Sequence, residues 1–198
     1  MANPSLVYLR VSEGGKEIPY RPAVRPEGSI CHGFKMLKGA LEDDIRATDE
    51  ASDTECLAEA IVAINHAETA FFTVGCEKAF NTAADGFWAK GYLEFSSNYV
   101  EIVVDAANYF PLFFHFNKFL SQRGYSDPVL FDWELLGATF VDAKVKGFTV
   151  TVWIQTATLS TEDEVKAAWC RAVALLAEYL CGQSYHADTP IYASRPRR

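Results

Sequence analysis

The first residues in this chain whose types and spacing suit chemistry are the adjacent pair Cys31-His32. The thiolate is the reactive form of cysteine, and a thiol at a helix N-terminus gives up its proton more readily. Apolar spacing downstream predicts a helix directly after the pair, which would give Cys31 that setting. A nucleophilic cysteine also needs a base and a group that orients the base. His66, His115 and His186 are the histidines that can supply the base, and no spacing selects among them. The plainer expectation is a buried cysteine acting as a small hydrophobe.

His66-Ala67-Glu68 has the H-x-E spacing with which zinc deaminases place a histidine ligand and a proton-shuttling glutamate. That chemistry also requires P-C-x-x-C, and the next cysteine, Cys76, stands alone in an expected strand. A histidine at a helix C-terminus, where the macrodipole favours it, accounts for the pair without a metal. The five cysteines at 31, 56, 76, 170 and 181 are odd in number, widely spaced and free of C-x-x-C. They predict neither a disulfide framework nor a zinc ribbon, and all five are expected as thiols in a reducing, cytoplasmic interior. No pair of histidines or cysteines has ligand spacing, so no metal is expected. The phosphate-cradling patterns G-x-x-x-x-G-K-[ST] and G-x-G-x-x-G are absent, as is the nucleophile elbow G-x-S-x-G. Several large enzyme classes are thereby removed, and no cofactor is implied.

Two clusters remain. Glu42, Asp43, Asp44, Asp49, Glu50, Asp53 and Glu55 fall within fourteen residues, opposed only by Arg46. They read either as a solvated corner with acids at a helix N-terminus or as a docking patch for a basic protein surface. Tyr109, Phe110, Phe113, Phe114, Phe116 and Phe119 make a helix that is apolar nearly all round. Such a helix is central to a core or is covered by a partner, and the core is the favoured expectation. If Phe110, Phe113 and Phe114 face outward they mark an interface, which allows a homodimer. Trp153 shares a strand face with threonines and would serve as an interface anchor.

The charge balance sets the background for both. Eighteen Lys plus Arg against 26 Asp plus Glu give −8 in 198 residues. The balance is about +1 over residues 1–30, −11 over 31–182 and +2 over 183–198. An acidic body argues against direct nucleic-acid binding, because a phosphate backbone demands a positive surface. Hydrophobic residues at 49% and charged residues at 22% are ordinary globular composition. The longest apolar stretch, 109–116, contains Pro111 and His115 and falls far short of the ~20 residues of a membrane span. The N-terminus has no basic region before its short apolar run and is not read as a secretory signal.

The elements that must position these residues follow from periodicity. Residues 6–11 and 18–20 predict a hairpin turning at Glu13-Gly14-Gly15-Lys16, followed by a proline-rich connector to residue 29. Phe34, Leu37, Leu41 and Ile45 predict one helix, and Leu57, Ile61 and Ile64 a second, opened by a capping box from Ser52 to Glu55. Strands are expected over 70–76, 87–95 and 99–105, a helix over 110–122 closed by Gly124, and strands over 129–141 and 145–156. Thr161 and Glu164 form a capping box for a last helix that Gly182 ends. Consecutive strands rather than strand–helix alternation predict an α+β domain over 1–182. Its expected form is an antiparallel sheet of about five to seven strands with helices mainly on one face, followed by a polar tail over 183–198.

The functional expectation is a non-enzymatic acidic protein that binds and occludes a protein partner, of the kind met in immunity proteins and phage-encoded inhibitors of nucleic-acid machinery. The motivating features are the acidic body, the acidic corner and the missing catalytic signatures. Two alternatives stand beside it. One is a small-molecule enzyme or ligand-binding domain with an aromatic-lined pocket between sheet and helices, where His115 or Cys31 meets a carboxylate. The other is an oligomeric structural or assembly subunit.

Overall fold

Alternation across the two C-terminal strands does what its period requires. In β6 (Val129–Phe140), Phe131, Trp133 and Leu135 turn to one face, and in β7 (Val145–Thr156), Val150, Val152 and Ile154 join them. The structure, a computed structural model, describes residues 6–192 apart from 25, 27, 29, 53 and 186, and no side chain at 50 or 52. Over these residues the chain is α+β. Five strands in the order β1-β6-β7-β5-β4 form one sheet, with β1 (Leu6–Ile18), β4 (Phe71–Ala83) and β5 (Gly86–Ser97) completing it. A two-stranded ribbon, β2 (Ala23–Val24) with β3 (Ile30–Cys31), stands apart.

The sheet is mixed, which corrects the antiparallel expectation. β1 runs parallel to β6, from Leu6 opposite Leu130 to Ile18 opposite Phe140. Gly14-Gly15, expected as a hairpin turn, lies instead in a register shift between Ser12 and Gly15. A bulge absorbs extra residues without reversing the chain, so one long edge strand replaces two short ones. The remaining pairings are antiparallel.

The long helices α3 (Glu55–Asn65), α5 (Phe110–Gln122) and α6 (Glu162–Cys181) cover one face and share its core. Thr161 caps α6 with the reciprocal bonds of a capping box, at 3.2 Å from the Glu164 amide and 3.1 Å back from its carboxylate. Gly91 sits beneath α6: a Cβ there would lie 2.8 Å from Trp169, so the missing side chain sets how closely helix and sheet approach. The opposite face is covered at one end by α4 (Val100–Val103), whose Val103 packs with Phe72, Phe140 and Ile18. Residues 99–105, expected as a strand, therefore include a short helix. Beyond α6, Thr189, Ile191 and Tyr192 bond to Val100 and Asn98, so this part of the expected tail lies against the body. Residues 193–198 lie outside the described residues.

Another expected helix is displaced. Only α1 (Glu42–Arg46) and α2 (Asp49–Ser52) form before α3, and residues 32–40 are irregular. The cause is Lys38, 2% exposed. Its ammonium donates to the carbonyls of His66 at 2.7 Å, Thr69 at 2.5 Å and Phe71 at 2.8 Å, and to the Thr69 hydroxyl at 2.6 Å. The Gly39 amide donates to the Asn65 carbonyl at 2.7 Å. These bonds satisfy carbonyls at the end of α3, in the loop after it and at the start of β4, and they hold the segment in an irregular form where a helix was expected. Thr54 precedes α3 in the capping position without a side-chain bond, and Glu55 pairs instead with Arg46 at 2.7 Å. Asp53 lies outside the described residues.

The cysteine expectation fails at two positions. Cys56 of α3 and Cys170 of α6 are joined by a disulfide across a Cα separation of 5.5 Å. Sequence spacing carried no warning, because the partners are 114 residues apart on helices that meet only in the folded chain. The inference of a reducing interior loses its premise, since such bonds persist mainly in oxidising compartments. Among the described residues no helix is long and apolar enough to cross a membrane.

Candidate functional site

A bulge in β4 opens the site. Asn65, fully buried at the end of α3, accepts the Thr73 amide at 3.1 Å and donates to the Thr73 hydroxyl at 2.7 Å. The β4–β5 register shifts between Thr73 and Gly75, and Thr73, Val74 and Gly75 become one wall of a cleft. Leu57 and Ile61 of α3 line it from below, and the segment around β3 closes it from the side. The cleft holds about 310 Å³.

That side wall depends on one glycine. Gly33 has φ +81°, and a Cβ there would lie 2.8 Å from the Pro22 ring. The turn lets the chain leave β3 while the Phe34 amide bonds the Tyr20 carbonyl at 3.0 Å. Cys31 and His32 both border the cleft as a result. His32 Nδ1 meets Asp49 Oδ2 at 3.1 Å, and Lys35 Nζ reaches the same oxygen at 3.4 Å. A carboxylate on Nδ1 selects the tautomer that leaves Nε2 as the basic nitrogen. This is the base-and-orienter arrangement that nucleophilic catalysis uses.

The opposite wall carries Cys76, with Glu77 and Lys78 beside it. Tyr20 spans the two sides, its hydroxyl donating to the Val74 carbonyl at 2.9 Å. Burial pushes the Tyr20 phenol far above its ordinary value, and the Glu94 carboxylate, with Tyr92, Cys31 and Cys76 once they ionise, pushes it in the same direction. Tyr20 is therefore a neutral donor at any ordinary pH, close to both thiols. Cys181, the remaining thiol, lies elsewhere, half-buried near Lys38, and burial raises its pKa.

The other expected residues disperse. Cys31 ends a short strand and does not precede a helix, which corrects the setting expected for it. His66 caps α3, its Nδ1 3.4 Å from the Glu68 amide, and His115 lies on the exposed side of α5. His186 lies outside the described residues. Among the described residues no three His, Cys, Asp or Glu side chains are grouped to hold a metal ion.

The acidic corner is partly paired within the molecule. Arg46 bridges Glu42 and Glu55 at 2.7 Å each, and Asp49 serves His32 and Lys35. Asp43 and Asp44 are exposed. The Glu50 side chain lies outside the described residues. The aromatic helix divides as its crowding suggests: Leu112, Phe116 and Leu120 are buried, Phe113 packs on Trp133, and Phe110 and Phe114 point outward. Trp153 stands half-buried on the outer sheet face, 4.8 Å from Tyr92, beneath Lys90 and 3.4 Å from a Glu134 oxygen.

Sequence reasoning singled out Cys31-His32 but sought the base elsewhere. Asp49 was legible only as one acid among seven. Cys76 and Tyr20 gave no signal, because they reach the cleft from separate elements. Comparison with protein-family models, curated proteins and solved structures finds no match for the chain.

Proposed function

We propose that the protein is a ligand-binding domain whose site is the cleft beside β4. The observation that carries this reading is the meeting of Cys31, the His32–Asp49 pair and Cys76 over an apolar floor of Leu57, Ile61 and Val74. A concave site with an apolar floor and a few convergent polar groups is the usual form of a small-molecule pocket. Its volume suits a small ligand and excludes a folded protein. The rim carries charge of both signs, from Lys35 and Lys78 and from Asp49 and Glu77, so a ligand with both polar and apolar parts fits best.

A thermal-shift screen of small polar metabolites tests the reading. At least one compound is expected to raise the melting temperature, and Cys31→Trp, which fills the side of the cleft, removes that shift. A shift that persists undiminished in folded Cys31→Trp places the ligand elsewhere and ends the proposal.

Docking of a basic protein surface on α1 is the second reading. It has one observation on its side: Asp43 and Asp44 are exposed beside Leu41, which is itself 71% exposed. An apolar side chain ringed by acids suits a basic, partly apolar partner. Replacing Asp43 and Asp44 with asparagine and Leu41 with serine is expected to abolish capture of that partner in a pull-down. If every captured protein is retained, docking at α1 is refuted.

A further inference from the structure

Two thiols border one cleft, and a histidine oriented by a carboxylate borders it with them. Acyl transfer or simple alkylation needs one nucleophile, whereas net reduction of a disulfide by thiol–disulfide exchange uses two, one to attack and one to resolve the mixed disulfide. The chain already separates its cysteines by role. Cys56 and Cys170 are bridged between helices, Cys181 lies near the buried Lys38, and Cys31 and Cys76 face the cleft. Cys31 sits on a ribbon tied to the body by the Tyr20–Phe34 bond and the Gly33 turn, while Cys76 is fixed in the β4–β5 ladder. Cys31 on a two-residue strand and Cys76 on the long β4 strand border the same cleft, and both lie close enough to act on the Tyr20 hydroxyl.

We propose that the cleft carries out thiol–disulfide exchange, with a low-molecular-weight disulfide as substrate, Cys31 as the attacking thiol and Cys76 as the resolving one. The proposal rests on the cleft being the binding site. His32 Nε2 accepts the Cys31 proton, and the thiolate attacks one sulfur of the substrate. The substrate S–S bond breaks, and the departing thiolate takes the proton back from His32 and leaves as the first thiol. Cys31 is then held in a mixed disulfide with the other half. Cys76 loses its proton through the same imidazole and attacks the Cys31 sulfur. The second half leaves as a thiol, so the two protein thiols are oxidised to one disulfide while the substrate is reduced to two thiols. Asp49 is a positioning residue, acting through the tautomer of His32.

The test uses the full chain with Cys56–Cys170 intact and hydroxyethyl disulfide as the probe, read by intact mass and peptide mapping without reductant. Wild type is expected to lose two hydrogens and to yield a Cys31–Cys76 peptide. Cys76→Ser stops at a single mercaptoethanol adduct on Cys31, and Cys31→Ser reacts at least about tenfold more slowly. His32→Gln and Asp49→Asn slow adduct formation at Cys31 at least about tenfold, and Asp49→Glu restores the rate that Asp49→Asn loses, which a purely structural role would not do. Circular dichroism establishes that each variant is folded. Modification of Cys181 as fast as Cys31 overturns the proposal, as does a wild-type adduct that never resolves. If wild type does not react while a non-thiol ligand from the screen still binds in the cleft, exchange is refuted and the binding reading stands. Reaction at Cys31 with no ligand displaced from the cleft refutes the binding reading instead.

Discussion

Replacing Cys56 and Cys170 together with alanine is expected to lower stability by about 4 to 5 kcal/mol, on the loop-entropy estimate for a closure of this length. The partners are 114 residues apart, so the bridge closes a loop containing β4 to β7, α4 and α5. Without it the unfolded chain recovers the freedom of that loop, while the folded helices α3 and α6 keep their apolar contacts through Leu57, Ile61, Val173 and Leu176. In a domain of this size the loss corresponds to a fall in melting temperature on the order of 10 °C. Thermal unfolding with and without reductant reads it directly. Equal melting temperatures, with five titratable thiols in the native protein under non-reducing conditions, would contradict the bridge. The consequence reaches the cleft, because Cys56 immediately precedes Leu57, which lines the cleft floor.

Alkaline unfolding should be abrupt. Burial pushes Tyr109, Tyr185 and Tyr192 up to about 12, and pushes Tyr20, Tyr125 and Tyr179 higher still. An unfolded tyrosine ionises near its ordinary value of about 10. Below that value neither state is ionised and these residues leave stability unchanged with pH. Above it the unfolded chain releases protons that the folded chain keeps, so stability is lost as pH rises. Each fully buried tyrosine withdraws about 1.4 kcal/mol per pH unit, and the partly exposed ones, Tyr185 and Tyr192 among them, withdraw less. The set removes on the order of 5 kcal/mol per unit, enough to exhaust a typical domain within about two or three units. Lys38 works in the opposite sense at lower pH. Burial pushes its ammonium down to about 8, so between there and its ordinary 10.5 the unfolded state holds the extra proton and stability rises with pH. A maximum near pH 10 is expected, followed by cooperative collapse. Phenolate absorbance and far-ultraviolet circular dichroism should change together in one steep step. Gradual ionisation near pH 10 with the circular dichroism unchanged would show that these phenols are not buried.

What was legible in the sequence is what is local. The Thr161–Glu164 capping box uses neighbours a few residues apart and is found as read. The alternation of β7 puts Val150, Val152 and Ile154 in the core, although Thr149 and Thr151 on its other face are buried as well. The β4–β5 hairpin and the α5 helix likewise follow from spacing alone. The failures share a different cause. A parallel pairing of β1 with β6 joins residues more than a hundred positions apart, and Gly14-Gly15, read as a turn, lies in a bulge of one continuous strand. The helical stripe from Phe34 to Ile45 was real as a pattern, but Lys38 found its acceptors between the C-cap of α3 and the start of β4 and held the chain in another form. The site was the least legible part. Its residues come from β3, α2, α3 and β4, and only the adjacency of Cys31 and His32 lay within one glance of the sequence.

The most direct test of the cleft as the binding site is a crystallographic soak with a library of small polar and thiol-bearing fragments. The expected result is fragment density between the His32–Asp49 pair and the Val74–Gly75 wall, with Cys31 in contact. The contradicting result is a cleft closed by its own side chains, with fragments gathered instead in the trough on the other side of the sheet that Gly15, Gly137 and Gly147 line.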